Sequence, residues 1–465
     1  MPMTSKQKLG IALVLLAVAE VVLFTRSFGM FFCGDSLYYL SRRLTSARDL
    51  IQVLTHVDYL EEYRPLPFML FSFVYFPLLQ LDPFGYHFIP LLFHLANTLL
   101  VFRLARTLLD GNRGAFIAAL FFGIHWGNFF ITYDITMMTE FTSVFFFLVA
   151  SILFLGYLET GKGRTLTGCL AAFVLSLLAK EAAITFVATS VLTAVVTRGK
   201  KDGRGSLLRD ASSALRKTLP IVAVAAVYLV ALLALKDWNL FPLRTGHPHH
   251  AVFTLATLLG KGRYLQWAFG IPDALILKRE ALGRLATAAA LAPFVVLFAL
   301  GSLAGIVTRS RIILCGLIWS IATLSPVLFL PNLTMVHYLY LPIVGIAFVY
   351  GAVAERLAAL SILQGRRQWI GVSLAAFFTA ANVAATWSNS SRALADSWLS
   401  NGSRVAESSL RDLKSARPEL AGGTTLYFLK STEKDLSFTA TRRSAHSSPI
   451  VAQSSLQAIS TMTVC

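Results

Sequence analysis

Residues 31–66 read FFCGDSLYYLSRRLTSARDLIQVLTHVDYLEEYRPL, a polar stretch held between hydrophobic runs. Asp35 lies just beyond the first apolar run, Leu9 to Phe24 with a Phe28 to Phe32 extension, so its carboxylate falls where a spanning helix meets water. Two readings of Asp35 stand side by side. An Asp before SLYYL is a good N-cap, and a carboxylate at a membrane exit is also placed for proton transfer on a substrate carried by lipid. Further along, Leu50, Ile51, Val53, Leu54 and Val57 make one apolar helical face, which predicts a helix lying on the membrane surface. The run Pro67 to Leu81 is too short for a crossing and predicts a juxtamembrane or re-entrant helix, ended by the turn Asp82-Pro83-Phe84-Gly85.

Outside this stretch the composition sets the class. Hydrophobic residues make up 56% of the 465 and charged residues 14%, with many apolar runs near the roughly 20 residues that cross a bilayer. The chain is expected to be an all-α polytopic membrane protein. Assigning spans one by one gives about eleven transmembrane helices, with external juxtamembrane helices and a small polar C-terminal tail. The net charge of +17 could suggest nucleic acid, but the basic residues cluster in alternate loops, as membrane topology requires. Cys33, Cys169, Cys315 and Cys465 are scattered, without the spacing of a zinc site or a disulfide framework.

Lys6 and Lys8 precede the first span, which reads as a retained signal anchor with a cytoplasmic N-terminus. The 31–66 loop is then external. Tyr86 to Leu109 crosses inward towards Arg103, Arg106 and Arg113, and His87, His94 and Asn97 share one helical face of it. Polar groups inside the bilayer usually line a functional cavity or bond to a neighbouring helix, and both readings stay open here. Ala115 to Phe130 is expected to return outward as a span. Ile135 to Leu158 carries Thr136 and Glu140 near its external mouth, and Lys180-Glu181 sits at the external turn between Leu166–Ala179 and Ala182–Val196. RGKKDGRGSLLRDASSALRK, residues 198–217, holds seven basic residues against two acidic ones and marks the cytoplasmic side. After an outward span comes a second external excursion, 236–281, whose Val252 to Ala268 portion reads as another surface helix because Lys261 and Arg263 interrupt it. His247, His249 and His250 in HPHH lack a second ligand cluster and read as a solvated loop. Leu282 to Val307, Ile312 to Leu330, Tyr338 to Ala354 and Trp369 to Thr386 complete the spans. In the external tail, RALADSWLSNGSRVAESSLRDLKSARPEL reads as an amphipathic helix and TTLYFLK as a short strand.

The order of motifs resembles the multi-pass C-type-fold (GT-C) glycosyltransferases, in particular the branch of transmembrane, tetratricopeptide-containing O-mannosyltransferases and its bacterial relatives. The matching pieces are GDSLYYL after the first span, YRPL at 63–66, FGYHFIPLLFHLANTLL at 84–100, AALFFGIHW at 118–126, LSLLAKEAAI at 175–184 and LPNLTMVHYLYLPIVG at 330–345, together covering about residues 9–390. The tetratricopeptide tail is missing. Where the family usually has two adjacent acids this chain has Gly34-Asp35, and His337 stands where an Arg is common. The resemblance implies a GT-C-like domain over 1–390 and an external tail, small or partly disordered, over 391–465. It also implies a hexosyl or pentosyl transfer from a polyprenyl-phosphate sugar donor to a glycan, lipid or protein acceptor, on the external face of a bacterial cytoplasmic membrane. Membrane lipids are the expected surroundings and nucleic acid is not an expected partner.

In that chemistry Asp35 is expected to be the catalytic base, with Arg64, Lys180 and His337 holding the departing phosphate and His87, His94, Glu181 and Tyr338 completing the donor site. Pairing of Arg64 with Glu61 or Glu62, and of Lys180 with Glu181, is the competing structural role. Nothing in the sequence calls for a cofactor or a bound metal. The alternatives are a lipid-linked sugar flippase or transporter, in which the polar stripe lines a pathway, and a catalytically silent homologue. Against a transporter, no inverted repeat is visible and the polar residues gather towards one membrane face. The topology has a direct test: a cysteine placed at Gly203 is expected to stay unlabelled by an impermeant thiol reagent in intact cells, and labelling there would put the 198–217 loop on the outside.

Overall fold

A computed structural model describes residues 4–58, 62–109, 111–201, 207–239, 241–242, 247–268, 310–362, 367–416, 425–429 and 459–463, with scattered helical residues between 296 and 307. The expected span Leu282 to Val307 lies mostly outside the described residues, and so does Glu61. The fold is helical. In chain order the elements are α1 (Ser5–Phe24), α2 (Asp35–Ser41), α3 (Ala47–Thr55), α4 (Pro65–Leu70), α5 (Phe76–Leu79), α6 (Pro83–Leu108), α7 (Asn112–Gly123), α8 (Phe129–Tyr133), α9 (Met138–Thr160), α10 (Gly163–Ala179), α11 (Phe186–Lys201), α12 (Leu207–Leu235), α13 (Leu255–Leu259) and α14 (Arg263–Ala268). They continue with α15 (Arg311–Leu328), α16 (Pro342–Ile362), α17 (Arg367–Asp396) and α18 (Trp398–Ala416), and a two-stranded antiparallel ribbon of β1 (Thr425–Leu429) and β2 (Ile459–Thr463) pairs Thr425 with Thr463. The strand read in TTLYFLK is β1.

Five stretches among the described residues are long and apolar enough to cross a membrane: Ser5–Ser27, Pro83–Leu108, Ile135–Thr160, Leu215–Leu235 and Arg311–Leu328. The chain is an integral membrane protein. Against eleven expected crossings, the described residues give five, or six with the bent pair Asn112–Gly123 and Trp126–Tyr133. That pair corrects the straight span expected over Ala115 to Phe130, because the helix turns by 49° at Ile124-His125. Side chains take over the broken backbone bonds there: the Asn128 amide donates to Phe122 O at 2.5 Å and Gly127 N donates to His125 Nδ1 at 3.1 Å. Gly163–Ala179 and Glu181–Thr197 are shorter apolar helices. Pro65–Leu79, the expected juxtamembrane segment, is likewise short, and a π turn at Phe71–Tyr75 joins its two halves.

The core lies where α9 packs on α6 and α10, and where α16 lies between α7 and α15. Bare backbone permits the second arrangement: a Cβ on Gly316 of α15 would fall 2.5 Å from Gly345 O of α16, and one on Gly351 would fall 2.5 Å from Gly114 O of α7. Small residues at helix crossings are how bilayer helices gain packing when no hydrophobic effect separates them from lipid. α16 is thereby fixed on two sides, and the turn Val336–Leu339 leads into its N-terminal end.

The polar stripe on α6 is spent on helix contacts. His94 Nε2 donates to Gly123 O at 2.9 Å, leaving Nδ1 to accept from Tyr340 OH at 2.9 Å, while Asn97 Nδ2 donates to the same phenol oxygen at 3.1 Å. Glu20 of α1 closes the group, 3.7 Å from His94 and accepting from Thr98 at 3.2 Å. The domain boundary expected near 390 falls inside α17, which runs unbroken to Asp396. Gly316→Leu is expected to overpack the α15–α16 crossing and cost about 1–3 kcal/mol, lowering the thermal midpoint in detergent. Gly10→Leu, where a Cβ meets nothing within 4 Å, is the matched control and should leave it unchanged.

Candidate functional site

The segment after α1 turns at Gly34, whose φ of 57° and ψ of −129° belong to backbone that glycine adopts without a Cβ penalty. Gly34 is the cap residue, so Asp35 is the first residue inside α2 and makes no cap hydrogen bond. Ser36 does the local work instead: its hydroxyl accepts from Cys33 N and donates to Cys33 O, both at 2.8 Å. Asp35 is therefore left with its carboxylate exposed and uncommitted, in a crowded recess that raises its pKa by burial. The capping reading of Asp35 is not the one the structure adopts.

A second acid stands beside it from another loop. Asp134 follows α8 and caps the short 3-10 turn Ile135–Met137, with Oδ1 accepting from Thr136 N at 2.9 Å and from Thr136 Oγ1 at 2.8 Å. Both bonds go to one oxygen. Burial, together with the charge of Asp35 and against the Thr136 bonds, lifts Asp134 to about 6. No local pattern marks Asp134, which lies 99 residues from Asp35 in the sequence.

His87 ties the two acid-bearing segments together. Its Nδ1 lies 2.8 Å from Thr132 O and its Nε2 3.0 Å from Met30 O, and Ser27 Oγ donates to the same Thr132 oxygen at 3.2 Å. The expectation that His87 and His94 touch donor is thus replaced by buried contacts between chain segments. Both rings are almost fully inaccessible and have bonds at each nitrogen.

A second group of charges, an ionic cluster that is largely buried, is built on Arg64 and Lys180. Arg64 Nη1 meets Glu62 at 2.6 Å and its Nε meets Glu181 Oε2 at 3.1 Å, while Glu181 Oε1 accepts from Tyr63 N at 2.7 Å. Lys180 pairs with Glu140 of α9, not with Glu181 as expected from adjacency, because extended backbone at Lys180 (φ −161°, ψ 132°) sends neighbouring side chains to opposite sides. The Lys180 ammonium also lies 4.6 Å above the Tyr338 ring. His337 stands 4.0 Å from Glu140, and burial lowers its pKa to about 4, so at neutral pH it is an uncharged hydrogen-bonding group. Arg64 and Lys180 thus face three acidic side chains, Glu62, Glu181 and Glu140. Neither Arg64 nor Lys180 is spare.

Described residues between α12 and α15 reach this cluster and its surroundings. His249, read as part of a solvated loop, reaches Glu62 at 3.3 Å. Lys261, read as an interruption of a surface helix, is buried and donates to Leu330 O, Leu333 O and Thr334 Oγ1 at 2.5, 2.6 and 2.8 Å. Trp126 Nε1 donates to Trp267 O at 3.2 Å. Only the burial of the loop, which no local pattern announces, separates these roles from those of solvated residues. Beneath the cluster a cavity of about 30 Å³ is lined by Glu140, Lys180, Tyr338 and Pro326 among others, room for one or two waters. Among the described residues no group of three or more His, Cys, Asp and Glu side chains stands together as metal ligands.

No family profile matches the chain, and no curated protein sequence does. Solved structures do resemble it. ArnT from Cupriavidus metallidurans in the apo state superposes with a TM-score of 0.50 at 15% identity, over 91% of this chain and 83% of that one. The same protein bound to undecaprenyl phosphate gives 0.49 at 15% identity, over 91% and 84%. An Archaeoglobus fulgidus oligosaccharyltransferase tethered to an acceptor peptide gives 0.47 at 17% identity, over 82% of this chain, which spans 55% of that longer protein. The likeness is one of fold, and the fold is the C-type glycosyltransferase fold.

The two acids give a pH signature. Asp134 binds its proton more tightly folded, at about 6, than at its ordinary 3.8, so this contribution to stability is full at acid pH and is lost as pH rises through about 6. The thermal midpoint of the parent should fall across that window. In Asp134→Asn the fall should be smaller, and an identical pH slope in both would remove Asp134 from the recess described.

Proposed function

We propose that this chain is an integral-membrane glycosyltransferase that moves a sugar from a polyprenyl-phosphate donor to an acceptor on the external face of the membrane. The observation that carries the reading is Asp35, a carboxylate without a hydrogen bond among the described residues, open to solvent where α1 leaves the bilayer and held beside a second acid. Such a group removes the proton of an acceptor hydroxyl as that oxygen bonds to the sugar's anomeric carbon, while the bond from that carbon to the phosphate breaks. Its raised pKa brings it nearer the operating pH, which favours general-base work. The leaving phosphate carries negative charge and needs cations.

Arg64 and Lys180 supply these only by exchanging carboxylate partners for phosphate oxygens, with His337 adding a neutral N–H donor. Tyr338, against Lys180, shapes the same pocket wall, and Glu181 holds Arg64 until donor arrives. The C-type fold supports the reading without specifying sugar or acceptor. The basic 198–217 loop favours a cytoplasmic N-terminus and an external Asp35.

Purified protein incubated with a panel of polyprenyl-phosphate sugars is expected to consume at least one donor. Asp35→Asn is expected to lose at least about a hundredfold in turnover with an unchanged thermal midpoint, since Gly34 rather than Asp35 caps α2. Parental turnover in Asp35→Asn would end its assignment as base.

A further inference from the structure

We propose that the helix at the chain's C-terminal side, α18 with the end of α17, is a positioning element of the site, fixing the backbone of both acid-bearing turns. The proposal rests on the reading of Asp35 and Asp134 as site acids. Its evidence lies at the residues just before each acid. Phe31 N donates to Ser403 Oγ at 2.6 Å, and the Cys33 thiol donates to Leu399 O at 3.2 Å. One residue before Asp134, the Tyr133 hydroxyl donates to Ala393 O at 2.8 Å and meets the Ser397 hydroxyl.

The docking face has helical spacing: Leu399, Gly402, Ser403 and Ala406 are buried, while Asn401, Arg404 and Ser408 face out. Gly402 permits the approach, since a Cβ there would lie 3.3 Å from Cys33 Cβ. Farther back, Arg26 anchors α17 to the end of α1, with its guanidinium 4.0 Å from the Trp387 ring centroid and donating to Ser390 at 3.1 Å and Ser391 at 2.7 Å. His87 braces the same two turns from inside at Met30 and Thr132, so each acid-bearing segment is held on two sides. Asp35 makes no hydrogen bond among the described residues, and its direction there is that of its backbone.

The test uses the full chain with Cys169, Cys315 and Cys465 replaced by Ala, so that Cys33 is the remaining thiol. Two variants are made in it, Gly402→Val and the double variant Ser403→Ala with Tyr133→Phe. Each is measured for alkylation of Cys33 by an impermeant maleimide, and for kcat and KM with the donor the parent consumes. Loss of the three hydrogen bonds in the double variant, or the side chain added at Gly402, is expected to speed alkylation about tenfold or more, and displacement of the acids to lower kcat by about tenfold to a hundredfold with KM near the parental value. Parental values of both quantities would overturn the proposal. Faster alkylation with parental kcat would also overturn it, reducing α18 to a cover, and slower turnover without faster alkylation would place the cause elsewhere and overturn it too. If the parent consumes no donor, the transferase reading fails separately, and the alkylation rate still decides whether α18 holds the turn.

Discussion

The constraint on which the site depends is the cost of keeping charge out of water at the membrane's edge. Lys180 is buried and Arg64 mostly so, and a buried cation persists only with a partner, since removing one member of a buried pair costs about 3–5 kcal/mol. The partners come from separate parts of the chain: Glu62 from the first external loop, Glu181 from the turn after α10, and Glu140 from α9. His337, from the turn ahead of α16, and His249, from the second excursion, reach two of the same carboxylates. Satisfying these charges therefore draws five segments to one place, and the glycine contacts of α16 hold one of them at fixed depth. On the proposed reading, a ligand phosphate entering here would have to replace a carboxylate, since both cations are already paired.

The acids obey the opposite rule. Asp35 and Asp134 remain weakly committed, one with no hydrogen bond among the described residues and the other bonded through a single oxygen. What is fixed is the chain that carries them, by His87 from within and by the tail helix from without. Rigid supports around loosely bonded reactive groups leave those groups free to exchange protons while their positions hold.

The features written in local pattern were legible in the sequence: the apolar spans, the surface helix on Leu50 to Val57, the short Pro67 to Leu81 segment and the strand in TTLYFLK. Six motifs in order led to the C-type fold. Pairings were not legible, because they depend on which loops meet. Lys180-Glu181 looks like a pair by adjacency, yet extended backbone sends the two side chains to different carboxylate and guanidinium partners. Asp134 is an ordinary loop acid until folding places it by Asp35. Lys261 looks like an interruption until its three acceptors are seen, and a polar tail gives no sign in its composition that one helical face meets Cys33. The bend at Ile124-His125 also escaped, since AALFFGIHWGNFF is apolar apart from His125 and Asn128, and the side chains of those two stabilise the break while reading equally well as span or loop.

The claim that the ionic cluster is a phosphate site in waiting is tested most directly by a structure of the protein with a polyprenyl phosphate bound. The account predicts phosphate oxygens at roughly 2.7–2.9 Å from the Lys180 ammonium or the Arg64 guanidinium, with Glu140 or Glu62 displaced from its present partner. A phosphate bound elsewhere, with the Lys180–Glu140 and Arg64–Glu62 pairs both intact, would contradict it.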